Sequence, residues 1–266
     1  MRPNLLGQRE RDYDCLIMRM NLKVFDSLES TNKYCELLDP STVEEFTVIC
    51  AKQQTAGIGQ RGNHWHSESG KNLTFSLILK PTFLCVADQY QLTKVIALGI
   101  TDCLRLFLPS HSDIKIKWPN DIYIGNKKVC GILTSNKIQH NSLSYSIVGI
   151  GLNVNQTLFP DWIPNPTSLQ LVLGSELPLP QVLNSAVECI SRRYNQLALC
   201  PTQPNPAIDD DYLSQLLQLG VQASYLFHDS PVKATIQGVN RFGHLELTTD
   251  SGVHLTCQLK ELKYLF

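Results

Sequence analysis

Apolar and polar positions change period several times along the chain, and each change marks an element. Residues 21–25, 47–51 and 72–79 read as three strands. Leu92, Ile96, Ile100, Cys103, Leu104 and Phe107 then recur at helical spacing, which predicts one long helix over 87–108 with that stripe in the core. Ile114, Ile116 and Trp118 alternate with Lys115 and Lys117 as a strand, and Pro119 ends it because proline has no N–H for the ladder. Two further strands are predicted over 128–134 and 142–153, joined by a polar segment at 136–141. Pro160, Pro164 and Pro166 make 159–166 an irregular connection. Helices follow over 179–199 and, after a break at 201–206, over 209–219, where Asp209, Asp210 and Asp211 suit the positive helix end.

Beyond residue 220 the texture changes to short alternating strands, with turns at Asp229-Ser230-Pro231, Arg241-Phe242-Gly243 and Asp250-Ser251-Gly252. The predicted organisation is a polar tail over 1–19, a main α+β domain over 20–219, and a small β-barrel over 220–266. A barrel of that size is marginal alone and should be docked on the main domain.

Composition narrows the class. Of 266 residues, 43% are apolar and 18% charged, an ordinary globular balance. The formal net charge of -1 provides no global field for a polyanion, so any anion must be held locally and DNA is not an expected partner. The nine cysteines have no C-x-x-C spacing and read as reduced, mostly buried thiols of a cytoplasmic protein rather than a zinc site. The first residues lack the apolar stretch of a signal peptide, and no long apolar run predicts a membrane span.

Four segments carry candidate chemistry. Ser30-Thr31-Asn32 stands at the start of a short helix through about Leu38, where capping is its ordinary role. Gln54 precedes the loop Gly57-Ile58-Gly59-Gln60-Arg61-Gly62, which continues to Trp65. This loop runs toward a strand rather than a helix, so it is not a dinucleotide cradle. A pliable lid shielding a water-sensitive intermediate fits it better. Lys117-Trp118-Pro119-Asn120-Asp121 comes third, and Lys128-Val129-Cys130-Gly131-Ile132-Leu133 leading to Gly149-Ile150-Gly151-Leu152-Asn153 is the fourth. Separately, each lysine reads as a solvated edge residue and Asp121 as a turn carboxylate. Together they offer an oxygen for a metal and an ammonium for an attacked phosphate. Trp65 and Trp118 suit core and ligand wall equally.

In this order and spacing the four segments resemble the catalytic core of biotin protein ligases over about residues 25–155, with a β-rich tail like that family's C-terminal domain. The resemblance implies a mixed-sheet catalytic domain like that of class II aminoacyl-tRNA synthetases and a small SH3-like barrel. It implies ATP and Mg2+ as cofactors, biotin as substrate, and a biotin carboxyl carrier protein or domain as partner, in a monomer or homodimer. It also implies that Ser30, Thr31, Asn32 and Gln54 bind the ureido ring, that Lys128 contacts the activated acyl-phosphate, and that Asp121 holds metal. Lys117, Asn120 and Asn153 would meet the nucleotide phosphates. Gly131, Gly149 and Gly151 would let strand backbones approach the ligand, though glycines in strands also mark bulges.

The chain departs from that pattern where Ile58 and Gln60 replace the two arginines of a G-R-G-R loop, leaving Arg61 as the nearest substitute, and where Ser135 replaces a common acidic residue. A lipoate or octanoate ligase or transferase of related fold, and a non-catalytic biotin-binding regulator, are the alternatives. Because isoleucine cannot donate to a phosphate, Ile58→Arg should restore a charge-assisted donor and slow release of the acyl-adenylate. Unchanged or faster release in a filter-retention assay would refute the vacancy at Ile58.

Overall fold

The computed structural model describes residues 20–201, 205–259 and 261–265, without the side chain of Arg61; the 1–19 tail lies outside them. A seven-stranded mixed sheet has the order β1-β2-β3-β7-β6-β5-β4. Its strands are β1 (Asn21–Leu28), β2 (Thr47–Gln54), β3 (Leu73–Leu79), β4 (Ile114–Lys117), β5 (Asp121–Ile124), β6 (Lys127–Gln139) and β7 (Ser142–Leu152). Among these strands of the described residues, β1 and β2 pair in parallel and every other neighbouring pair is antiparallel. The short helix α1 (Thr31–Glu36) is the crossover between them, whereas α2 (Tyr90–Phe107) and α4 (Leu179–Leu199) cover the opposite face.

Period-2 alternation explains the two faces. Leu73, Phe75, Leu77 and Leu79 of β3 and Val148, Ile150 and Leu152 of β7 join the α2–α4 core, and all are buried. The other phase presents Thr74, Ser76 and Ile78, then Ile147, Gly149 and Gly151, toward α1 and the cleft beside it. The expected stripe of α2 is buried from Leu92 to Leu104 with Phe107 half-buried, but so are Val95, Ala97, Leu98 and Gly99 on its back. The reason is α4, which crosses so closely that a Cβ on Gly99 would lie 2.6 Å from Ile190 Cα.

Four local expectations are revised. Asp121 opens strand β5 rather than sitting in a turn; four residues are too few to show alternation, and pairing with β4 and β6 makes them a strand. Strand β6 continues through Gln139, so the polar 136–141 segment is mostly strand, exposed from Lys137 onward. A short helix, α3 (Leu169–Leu173), was not foreseen. The helix expected over 209–219 is α5 (Pro206–Ser214), because Pro206 occupies its first turn, where a missing N–H costs nothing.

The tail forms a five-stranded antiparallel sheet, order β11-β10-β9-β8-β12, that fits a small SH3-like domain. Its strands are β8 (Gln222–Phe227), β9 (Ser230–Val239), β10 (Leu245–Thr249), β11 (His254–Cys257) and β12 (Leu262–Tyr264). The first turn falls at His228 and Asp229, both at positive φ, one residue earlier than expected. Arg241 donates to both carboxylate oxygens of buried Asp88, at 2.6 and 3.0 Å.

That guanidinium holds the Asp88 carboxyl below the usual carboxylate range, against the opposing effect of burial. A carboxylate depressed in the folded state contributes stability that is complete above its unfolded pKa of about 3.9 and disappears as pH falls through the lower folded value. Asp88→Asn should therefore lower the melting temperature at pH 7, and the gap from wild type should close toward about pH 2. A gap independent of pH in thermal melts would remove this ion pair from the account.

Candidate active site

The cleft grows from the outward phase of β3, β7 and β6. In the sheet register, Ser76 pairs with Gly149 and Thr74 with Gly151, while Gly151 and Gly149 pair with Gly131 and Leu133. Helix α1 begins over this strip. Its first residues are buried, and none of them is spent on capping: Ser30 makes no side-chain cap hydrogen bond. Instead Thr31 donates its N–H to Gln54 Oε1 at 2.7 Å, and Ser76 Oγ lies 2.7 Å from Thr31 Oγ1 and donates to Asn32 Oδ1 at 2.5 Å. Asn32 Nδ2 donates to Leu133 O at 3.3 Å. A Cβ on Gly149 would lie 2.3 Å from Asn32 Oδ1, so the glycine admits the amide.

The glycine loop folds back on itself. Gly59 N–H donates to Asn63 O, Trp65 N–H donates to Gly57 O, and Gln60–Gly62 make one 3-10 turn. This return lays the Trp65 indole across the strip: a Cβ on Gly151 would stand 2.2 Å from Trp65 Cε2, and one on Gly131 2.9 Å from Cζ3. The indole Nε1 is buried without a hydrogen-bond partner. Beyond it, Lys128 Nζ lies 5.5 Å from the ring centre and 2.7 Å from Asp121 Oδ1.

These groups enclose one cavity of about 160 Å3. At that size it is smaller than the roughly 300–1,000 Å3 of small-molecule sites, because the indole lies across its floor. A wider cavity of about 530 Å3 adjoins it, sharing Gln60, Asn120, Ile132 and Leu133. One end of the smaller cleft is thus a neutral hydrogen-bonding cluster, and the other a lysine–aspartate pair.

A protein-family model described as the biotin/lipoate A/B protein ligase family matches residues 24–153. The bifunctional ligase/repressor BirA of Bacillus subtilis is 30% identical over 240 residues, covering 89% of this chain and 72% of that protein. The chain belongs to the biotin/lipoate A/B protein ligase family. A biotin–acetyl-CoA-carboxylase ligase of Paracoccus denitrificans is 35% identical over 126 residues, 47% of this chain and 51% of that one. The fold matches the biotin protein ligase of Aquifex aeolicus, solved in complex with biotin and ATP, with a TM-score of 0.74 and 26% identity. That match covers 91% of this chain and 97% of the other. The class of enzyme is biotin–protein ligase.

Within this family member, Ser30, Thr31, Asn32, Gln54, Ile58, Gly59, Gln60, Asn120, Asp121, Lys128, Gly131, Gly149 and Gly151 all line the cleft. Gly57 stands behind it, pressed against Trp65 O, where a Cβ would come within 2.4 Å. Arg61 and Gly62 add main chain to the turn, and the Arg61 side chain lies outside the described structure.

Two residues expected at the phosphates do not line the cleft. The Lys117 ammonium sits 5.3 Å from the Tyr123 ring centre and 5.0 Å from that of Tyr264 on β12, and burial pushes its pKa down. Asn153 turns away, donating through Nδ2 to Thr167 O at 2.9 Å. Thr167 and Asn165 in turn pair with the main chain of Lys128 at 2.9 and 2.7 Å.

Sequence reasoning missed Ser76, although its signal was present: Ser76 breaks the apolar run of β3 in the phase opposite Phe75 and Leu77. Trp65 could be placed only by the loop's return, whereas Trp118 is core, 3% exposed. Among the described residues, no group of three or more His, Cys, Asp or Glu forms a metal cage. A single carboxylate at Asp121 instead suits magnesium arriving on nucleotide phosphates with its own waters.

Gly151→Ala should displace the Trp65 indole and red-shift tryptophan emission, and Trp65→Phe should abolish that shift. Unaltered emission from Gly151→Ala would mean that the ring does not rest on the strip.

Proposed function

We propose that the chain joins biotin to ATP as biotinyl-adenylate and then transfers the biotin to a lysine of a biotin carboxyl carrier protein or domain. The observation that carries this reading is the arrangement of the cleft, with the Ser30, Thr31, Asn32 and Gln54 cluster at one end and the 2.7 Å Lys128–Asp121 pair at the other. A urea-like head needs donors and acceptors on both sides, and each one left unmatched costs about 1–3 kcal/mol. Thr31, Asn32, Gln54 and Ser76 are already ordered against one another, so binding need not freeze them.

In the first step a biotin carboxylate oxygen attacks the α-phosphorus of ATP, and the bond to the β-phosphate breaks, releasing pyrophosphate. Lys128 offsets the negative charge that builds on the attacked phosphate, and Asp121 keeps that ammonium beside the cleft. When bound, magnesium supplies further neutralisation of phosphate charge, and Asp121 is the residue that would hold it. In the second step the neutral amine of the carrier lysine attacks the acyl carbon. The bond to AMP breaks, AMP leaves and the nitrogen loses a proton. The 57–65 loop would close over the mixed anhydride, whose hydrolysis makes exclusion of water necessary.

A lipoate or octanoate ligase or transferase is the second reading, and the polar cluster argues against it, since an aliphatic chain offers that cluster neither donor nor acceptor. Competition between labelled biotin and lipoate in ATP–pyrophosphate exchange decides between them, with biotin expected to win. Mass spectrometry of a carrier domain incubated with biotin and magnesium-ATP tests the second step, and biotin exchange without carrier labelling would refute transfer. Lys128→Ala should slow exchange by on the order of a hundredfold. Near-normal exchange in that variant would take Lys128 out of its role.

A further inference from the structure

The turn that delivers Asp121 to the cleft is held from the other sheet. Trp118, at its start, is buried and donates its indole N–H to Gly243 O at 2.9 Å, across to the β9–β10 turn of the small sheet. Gly243 has φ +86, and its α-carbon rests so closely on the Tyr90 ring that a Cβ would stand 2.3 Å from Tyr90 Cδ2. Arg241, two residues earlier, is fastened to Asp88 by the paired bonds described above.

The turn is also stiff in itself. Asn240 Oδ1 accepts the N–H groups of Phe242 and His244 at 3.0 and 3.1 Å. On the cleft side, the same Trp118–Asp121 segment is tied to β6. Asn120 Nδ2 donates to Ile132 O at 2.6 Å, and Ile132 N–H donates to Asn120 O at 3.0 Å. A continuous path therefore runs from the turn that Arg241 anchors, through the Gly243–Trp118 bond and along the main chain, to Asn120, Asp121 and the Lys128 paired with it.

We infer that the Asn240–His244 turn is a positioning element for the reaction, with Gly243 and Arg241 as positioning residues that set where Asp121 and Lys128 stand. This inference rests on the proposed adenylation. The side chains of the polar head pocket come from α1, β2 and β3, none of which this turn touches through those contacts, and β6 adds to them the Leu133 carbonyl that accepts from Asn32. Loosening the turn should thus alter turnover and leave capture of the head group unchanged.

The test uses the full chain and three variants: Gly243→Ala, Arg241→Ala and Arg241→Lys. In biotin-dependent ATP–pyrophosphate exchange, below the melting point of every variant, Gly243→Ala and Arg241→Ala should each lower kcat about tenfold without raising KM for biotin. Arg241→Lys, which keeps a cation for Asp88, should recover most of the loss. Amide hydrogen exchange provides a readout that needs no turnover. Gly243→Ala should speed exchange in peptides covering 118–132 and leave those covering 72–79 as in wild type.

Normal kcat in the folded variants, a rise in KM for biotin accompanying the fall in kcat, or unchanged exchange over 118–132 would each overturn the inference. A wild-type chain without pyrophosphate exchange, but with the amide-exchange pattern just described, would sink the proposed adenylation and still support the positioning contact.

Discussion

A side chain can lie flat on a β-sheet only where the residues beneath it give up their own. In this chain Gly131, Gly149 and Gly151 do so on neighbouring strands, and the rest of the cleft follows from that bare strip. Any Cβ there would fall within 2.2 to 2.9 Å of Asn32 or Trp65, a separation that packed atoms do not tolerate. Glycine in a strand costs conformational entropy and packs nothing. The two central strands bear that cost where they meet, and a large apolar interior on the other face of the same sheet offsets it.

The strip also explains why the polar groups are ordered before any ligand arrives. With main chain exposed between Asn32 and Leu133, the Asn32 amide reaches a backbone carbonyl, and Ser76 on the next strand meets both Asn32 and Thr31. Buried polar groups that satisfy one another in this way form a rigid surface, and a rigid surface distinguishes ligands by what it fails to pair. At the far end the ammonium of Lys128 is kept in place by one carboxylate and by main-chain pairing to Asn165 and Thr167. The remnant of the loop pattern, with Ile58 and Gln60 where arginines are usual, leaves Lys128 as the cation at the cleft wall among the described side chains.

The smaller sheet is joined to this arrangement at the edge that most needs support. Strand β4 has a neighbour on one side only, and its other side is met by Gln215 and Leu217, which bond Ile116 at 2.8 Å each. Trp118 then reaches Gly243, and Lys117 lies against Tyr264. An edge covered in this way is no longer open to pairing with other chains, and the segment leading to Asp121 is gripped from both sides.

Much of this was legible in the residues alone. Periodicity located the long helices and most strands, because the phase of apolar positions is a local property that burial must respect. The motif strings around Gln54, Asp121, Lys128 and the paired glycines marked the candidate site, because groups this costly to place inside a core stand out against an ordinary background. Local sequence did not reveal β5, whose four residues become a strand only through partners on both sides, or the start of α5, where proline opened a helix instead of breaking it. Nor did it separate Lys128 from Lys117, or Asn120 from Asn153: each pair looks alike as chemistry, and only the packing of Tyr264 and the 165–167 segment decides which side chain faces the cleft. Tertiary structure likewise decided that the three glycines in the cleft wall make room for Asn32 and Trp65, since what a missing side chain admits depends on which distant segment comes to lie above it.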